Sequence, residues 1–554
     1  MFFARVPAGR RFHPSSMTGR FMSFSQFRTQ GSFSRHGFLL FLKRRAFSAL
    51  GIFAGFFLLS SFFWMTGNFG YCTVEQTIFH LVLPTSTEVQ QTFALSFLIR
   101  VVLFSLAAAL LACFVLARTP LAHPSGKWRL AALSAGFVFL GVFVLSGAFR
   151  GYDYLWTWFF PDPDAPDFYR ERYVPVSPAD VDMPLRRNLV VLTLESMEAA
   201  LGDTRVMPVN LMPELAALRE RHQSVRDSVQ VYGTGWTVAA LVAMQCGIPL
   251  RAEAGNGMDA SRDFLPGATS LTDILAAHGY RQRFLQSAAL SFAGKDVFFA
   301  THGLKREELI DTPAMLARNP GDGTPENLHE WGLYDRFVYA RAKEELNGLA
   351  ARGEPFALFM LTVDTHHHHG YPDPTCPHDL SGSALEEESR DMAGAVLHAD
   401  HAAAEFVKWI QAQPFAGNTT ILVLNDHLLM ESDLTPYLSE RPELRRNFNV
   451  LINPARPLPD AERRMSHFDW APTLLESMGA ALPEGKMGFG VSLYAGLPTL
   501  VEEMGKDELE AKLTPFSPFY LSELMGAGKR KEQESSQAQS AMLSRSSGTT
   551  TFPE

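Results

Sequence analysis

Asn188-Leu189-Val190-Val191-Leu192-Thr193-Leu194 is a continuous apolar and β-branched run, and it stops at once at Glu195-Ser196-Met197-Glu198. Short uninterrupted runs of this kind read as strands buried on both faces, the pattern of a parallel sheet covered by helices. Three runs repeat it downstream: Phe356-Ala357-Leu358-Phe359-Met360-Leu361-Thr362-Val363, Thr419-Thr420-Ile421-Leu422-Val423-Leu424 and Asn449-Val450-Leu451-Ile452. Residues 280–285 read as a further strand. Helical stretches lie at 271–279, 383–413 and about 472–478. Buried strands alternating with helices predict an α/β domain with a largely parallel central sheet flanked by helices.

The chemistry gathers where these runs stop. The first ends in Glu195, the second in Asp364-Thr365-His366-His367-His368-His369-Gly370, and the third in Asn425-Asp426-His427. In open α/β sheets ligands bind beyond the carboxyl ends of the strands, so parallel strands put these groups on one rim. Two carboxylates and an imidazole form a mixed O/N donor set suited to Zn²⁺, Mn²⁺ or a similar divalent ion. Taken singly, each also reads as a helix cap or loop residue. Between them, Gly233-Thr234-Gly235-Trp236-Thr237-Val238-Ala239-Ala240-Leu241 is a glycine loop running into a helix-compatible segment, with Thr237 at the junction. A threonine there reads as an N-cap. It also reads as a hydroxyl beside free N–H groups and the positive end of the helix dipole, which suits a phosphate.

The chain of 554 residues is too long for one ordinary domain, and its net charge of -9 hides an apolar N-terminal part. Segments 47–65, 93–116 and 130–149 each pass the length test for a membrane helix. Three in succession make an anchor rather than a cleaved signal peptide. The residues before the first segment carry Arg5, Arg10, Arg11, Arg20, Arg28, Arg35, Lys43, Arg44 and Arg45 and no acid. Arg118, Lys127 and Arg129 lie between the second and third segments, and only Glu75 and Glu88 between the first and second. The positive-inside rule then puts the N-terminus in the cytoplasm and everything after about residue 150 outside. The expected division is a basic cytoplasmic segment 1–46, a three-helix anchor 47–149, a juxtamembrane connector 150–186, an extracytoplasmic catalytic domain 187–525 and a disordered tail 526–554. An oxidising compartment permits disulfides, and Cys246 is expected to pair with Cys376; two reduced, buried thiols are the alternative. No nucleic-acid partner is expected.

The motifs Leu194-Glu195-Ser196, Gly235-Trp236-Thr237, Asp364-Thr365-His366 and Asn425-Asp426-His427 occur in the order of the membrane-bound, sulfatase-like branch of the alkaline phosphatase superfamily. Ser466-His467-Phe468-Asp469-Trp470-Ala471-Pro472-Thr473-Leu474-Leu475 and Gly488-Phe489-Gly490-Val491-Ser492-Leu493 resemble it too. The resemblance covers roughly 187–495. Residues 236–250 with Asp426-His427-Leu428 look most like the phosphoglycerol transferase I group of osmoregulated periplasmic glucan synthesis, and less closely like lipoteichoic acid synthases. The resemblance implies that Glu195, Thr237, Asp426 and His427 hold one divalent metal, Mn²⁺ in first place with Mg²⁺ or Zn²⁺ as alternatives. It makes Thr237 the nucleophile, activated by the metal. His366 would stabilise charge or protonate the leaving oxygen. Lys295 stands where lipoteichoic acid synthases carry an arginine, and Ala293 where they carry an aromatic. Lysine keeps the charge and loses the planar fork. Asp364, His368 and His467 are the residue types of a second metal site in two-metal phosphatases.

The resemblance implies transfer of phosphoglycerol from phosphatidylglycerol to an extracytoplasmic glycan through a covalent phospho-threonine, at the outer face of the inner membrane. The alternatives are phosphoethanolamine transfer, hydrolysis of a phosphodiester or sulfate ester, and a non-catalytic lipid or glycan sensor. A formylglycine sulfatase needs Cys or Ser in C/S-x-P-x-R, and the sequence from Thr237 is Thr-Val-Ala-Ala-Leu.

Overall fold

The run Asn188–Leu194 lies inside the sheet, with a parallel strand on either side. A computed structural model describes residues 45–69, 94–119, 126–148, 166–251, 263–376 and 380–526. The six strands of its main sheet, in chain order, are β1 Asn188–Leu194, β2 Arg281–Gln286, β3 Leu309–Ile310, β4 Phe356–Leu361, β5 Thr419–Asn425 and β6 Asn449–Ile452. Their spatial order is β3-β2-β4-β1-β5-β6. Every pairing is parallel except β5 with β6.

β1 is buried along its whole length because both faces are covered. Val190, Leu192 and Leu194 join one core with Leu358, Met360, Val396 and Phe406; Leu189 and Val191 join the other with Ala240, Trp470 and Leu474. The expected α/β fold is therefore observed, with β6 reversed at one edge. The sequence reading missed the two-residue β3 and the Asp335–Ala350 helix. The predicted helix at 383–413 is shorter, Arg390–Gln411.

The Thr237–Cys246 helix packs under the sheet, with every residue after Thr237 buried. It stops at Gly247, whose φ of 66° is left-handed; a Cβ there would meet the Met487 carbonyl oxygen at 2.4 Å.

Ala46–Gly67, Ala94–Leu116 and Lys127–Leu145 are long and apolar enough to cross a membrane. Of the two compact units in the chain, one holds a small cluster of Ile52, Ala109, Cys113, Ala117 and Leu130. The other holds the α/β domain, and in it Trp64 Nε1 donates to Ser96 Oγ at 3.0 Å. The basic segment up to residue 44, Glu75, Glu88, the connector up to residue 165 and the tail from residue 527 lie outside the described residues.

Candidate active site

The parallel strands bring their ends together as the sequence predicted. Leu194 pairs with Asn425, and the next residues on each chain are Glu195 and Asp426. Ser196 takes a left-handed φ of 58°, which turns its N–H back to donate to Asp426 Oδ1 at 2.8 Å. His427 N–H donates to the same oxygen at 2.8 Å. His427 Nε2 then lies 3.4 Å from Glu195 Oε1 and 3.3 Å from Asp426 Oδ2. Its Nδ1 donates to the Leu428 carbonyl at 2.9 Å, which aims Nε2 at the two carboxylates, as a proton donor while the ring is charged and as a ligand for a cation that would displace that proton.

Thr237 is the first residue of its helix, not the cap: Trp236 occupies the N-cap position in an extended conformation. The Thr237 hydroxyl donates to Glu195 Oε2 at 3.3 Å instead of closing on its own backbone. Both functions foreseen at this position are thus separated, and the helix N-terminus remains open to an anion.

Burial opposes charge on Glu195, yet His427 and then His366 hold its carboxyl well below the usual range. Burial and then Glu195 push Asp426 up, while Asp426 and Glu195 raise His427 against the cost of its own burial. The cluster therefore demands positive charge at its centre. Ligand atoms of Glu195, Asp426 and His427 all lie within 4.8 Å of one another, and Asp426 Oδ2 is buried with no hydrogen-bond partner. A divalent cation fits this donor set and would satisfy the orphaned oxygen.

Glu195, His427 and Thr237 line a cavity of about 280 Å³ shared with Lys295 and His366. Lys295 begins the Lys295–Thr301 helix and donates from Nζ to the Phe292 carbonyl at 3.1 Å. Burial lowers it to about 8, against the pull of Glu195, Asp296 and Asp426. His366 turns Nδ1 to the His367 carbonyl at 2.9 Å, which leaves Nε2 unprotonated, and burial lowers its affinity for a second proton. Its ring lies against Trp331, with centroids 4.1 Å apart, and Trp331 meets Phe292 at 5.3 Å. Sequence reasoning missed Trp331. It sits between the two-residue strands Leu328–His329 and Gly332–Leu333, too short to leave a pattern. Ala293 is buried beside Lys295, and the aromatic rings that line the cavity come from Trp236, Phe292, Trp331 and Tyr371.

The second metal trio is not assembled. Asp364 turns away to accept from Asp335 N–H, at 3.1 Å to each oxygen, and from His329 Nε2 at 3.2 Å. His368 turns Nδ1 to the Glu431 carbonyl at 2.9 Å. His467 is fully buried beneath β5, between the Asn425 carbonyl and the Asn447 amide, each at 3.2 Å, and burial lowers it to about 4. The sharp turn after β4 sends Asp364 and His368 to different neighbours. The expected Cys246–Cys376 disulfide is also absent. Cys246 is a free thiol at the buried end of its helix, within the core, whereas Cys376 lies in the half-buried loop after β4.

A family model described as Sulfatase matches residues 187–480. Phosphoglycerol transferase I of Citrobacter koseri is 34% identical over 344 residues, covering 60% of this chain and 42% of that protein. The protein of the same name from Salmonella typhimurium gives the same figures. The chain thus spans less than half the length of the curated relatives it matches. Among solved structures, the lipoteichoic acid synthase LtaP from Listeria monocytogenes is 17% identical with a TM-score of 0.46, covering 56% of this chain and 75% of that one.

Proposed function

This chain belongs to the sulfatase family, and on that footing we propose that it is a membrane-anchored, metal-dependent phosphoglycerol transferase. Its donor is phosphatidylglycerol and its acceptor a glycan hydroxyl outside the inner membrane, with the N-terminus cytoplasmic and the α/β domain periplasmic. The observation that carries the reading is the Thr237 hydroxyl on Glu195, at an open helix N-terminus, beside the orphaned oxygen of Asp426. The 34% identity to phosphoglycerol transferase I proteins supports the choice of group transferred.

Glu195, Asp426, His427 and Thr237 would hold the divalent ion, Mn²⁺ in our reading. Once bound, it lowers the affinity of the threonine hydroxyl for its proton and offsets charge on the phosphoryl oxygens. Glu195 accepts the hydroxyl's hydrogen bond and orients Oγ1 towards the cavity. Oγ1 attacks phosphorus, forms the P–O bond and expels the diacylglycerol oxygen. His366, its ring against Trp331, is free at Nε2 to take the proton that leaves Thr237 and pass it to that oxygen, then to take one from the acceptor hydroxyl as it displaces Thr237 and return it to Oγ1. Lys295 neutralises a phosphate oxygen from the cavity wall. The stem of Trp331 and Phe292 walls the headgroup from water.

The test is diacylglycerol release from labelled phosphatidylglycerol and phosphatidylethanolamine, each with and without Mn²⁺. Metal-dependent release from phosphatidylglycerol is expected. Release from phosphatidylethanolamine alone would replace the reading with phosphoethanolamine transfer.

A further inference from the structure

β1 and β5 stop pairing at Leu194 and Asn425, with one more backbone bond, Asp426 N–H to the Leu194 carbonyl at 3.2 Å. Beyond that point the two chains diverge, yet Glu195 sits on one and His427 on the other. A second connection closes the gap one turn further on. Glu198, three residues past Glu195, is fully buried. Arg445 donates to it from Nε at 2.9 Å and 3.1 Å and from Nη2 at 2.6 Å. Both partners also grip the same residue of the His427 loop: Leu429 N–H donates to Glu198 at 3.2 Å, and Arg445 Nη2 donates to the Leu429 carbonyl at 2.6 Å. Leu428 N–H is held by Gln230 Oε1 at 2.8 Å, and the Leu428 carbonyl receives His427 Nδ1–H.

The ring Glu198–Arg445–Leu429 therefore fixes the segment that sets the tautomer and aim of His427, without reaching the cavity itself. We infer that Glu198 and Arg445 are positioning residues that set the affinity of the Glu195–Asp426–His427 site for its divalent cation. Glu195 and Asp426 repel each other across the gap, and a strap that holds their chains together does in advance what the cation would otherwise have to do. The inference rests on the metal-dependent reading above and adds to it the residues that tune it.

The experiment is calorimetric titration of Mn²⁺ into the full-length protein in detergent, for wild type, Arg445→Ala, Arg445→Lys and Glu198→Gln, with thermal unfolding run alongside. Loss of an outer partner of a metal ligand typically costs about 10- to 100-fold in affinity. Arg445→Ala and Glu198→Gln are expected to bind one ion that much more weakly, with donor turnover restored by excess Mn²⁺. Arg445→Lys is expected to fall between, because it keeps the charge and loses the fork. Wild-type affinity in Arg445→Ala would overturn the strap, as would a loss of stoichiometry that excess metal does not restore. If wild type itself bound no divalent cation, the metal-dependent reading would fall and the inference with it. Failure of the donor test with metal affinity still lowered in the variants would overturn the substrate alone.

Discussion

Two groups of buried acids stand at the ends of adjacent strands, and what meets their charge is different. After β4, Asp364 accepts from Asp335 N–H and His329. Asp335 in turn accepts from Val363 N–H at 2.9 Å, Asp364 N–H at 2.9 Å and Ser287 Oγ at 2.8 Å. Nearby, Asp373 pairs with Arg336 at 2.7 Å. After β1 and β5, Glu195 and Asp426 face an imidazole and a hydroxyl, and one buried oxygen is left with no hydrogen-bond partner. The first group is a clamp: N–H and O–H donors and one guanidinium meet its oxygens, and burial keeps a proton on Asp335. The second is a site: its charge is answered only in part, and folding alone gains nothing from leaving it so. Position at a strand end does not separate the two. Nor does an oxygen without a hydrogen bond, since Asp373 Oδ2 is another; a fixed cation does, Arg336 standing 2.7 Å from Asp373 Oδ2 where Asp426 Oδ2 has only an imidazole at 3.3 Å.

The contrast breaks most sharply in a matched pair of substitutions. Asp426→Asn is expected to remove Mn²⁺ binding in calorimetry and to cut transfer by about 10³-fold or more, the scale of losing a main electrostatic group at a reacting centre. Its thermal midpoint should hold or rise, since repulsion with Glu195 is relieved. Asp364→Asn should do the reverse, keeping metal affinity while losing about 1–3 kcal/mol of stability through unsatisfied buried groups. Equal loss of metal affinity in both would erase the distinction. Thr237→Ala sharpens it from the other side: metal still bound through Glu195, Asp426 and His427 but more weakly, transfer lost by a comparable factor, and no covalent phospho-enzyme by mass spectrometry.

A smaller effect separates the clamp by pH. Burial and then Asp364 raise Asp335 to about 8, far above an ordinary carboxylate. Across the range between, the native form keeps a proton that the unfolded chain has lost. Its contribution to stability is therefore complete below about pH 4 and is lost as pH rises through about 8, with a slope of at most about 1.4 kcal/mol per pH unit. The thermal midpoint of wild type should fall between pH 5 and pH 8, and Asp335→Asn should flatten that slope. An unchanged slope would take the proton away from this residue.

Much of this was legible in the sequence because burial writes itself in runs. β1 and β6 fall where the apolar residues begin and end, and the polar residues that follow β1 and β5 do come together. What was not legible depends on contacts made at a distance. Nothing in Asn449-Val450-Leu451-Ile452 marks it as antiparallel. Trp331 reaches His366 from a hairpin of two-residue strands. All four consecutive histidines line the cavity, and only the turn after β4 decides that Asp364 is drawn to Asp335 instead. Cys246 and Cys376 were paired for sharing a compartment, but Cys246, at the buried end of a helix that stops at Gly247, has core around it and bonds to no cysteine among the described residues.

Lys295 offers the finest test, because it lies between the two regimes. It is a buried cation with one backbone partner, lowered by burial to about 8 and kept from falling further by Glu195, Asp296 and Asp426. A divalent ion on Glu195 and Asp426 cancels part of that support, so the ammonium in the loaded site should lose its proton at or below that value. Lysine is charged below its pKa and neutral above it. Wild-type kcat/KM for phosphatidylglycerol is therefore expected to decline as pH rises through about 8, since kcat/KM reports groups of the free enzyme. Arginine keeps its charge throughout this range, so Lys295→Arg should change kcat/KM by only a few-fold at pH 7, on the order of an altered phosphate contact. It should also abolish the alkaline decline. A decline of the same shape in Lys295→Arg would place the titrating group elsewhere and leave Lys295 as a charge that merely fills the wall.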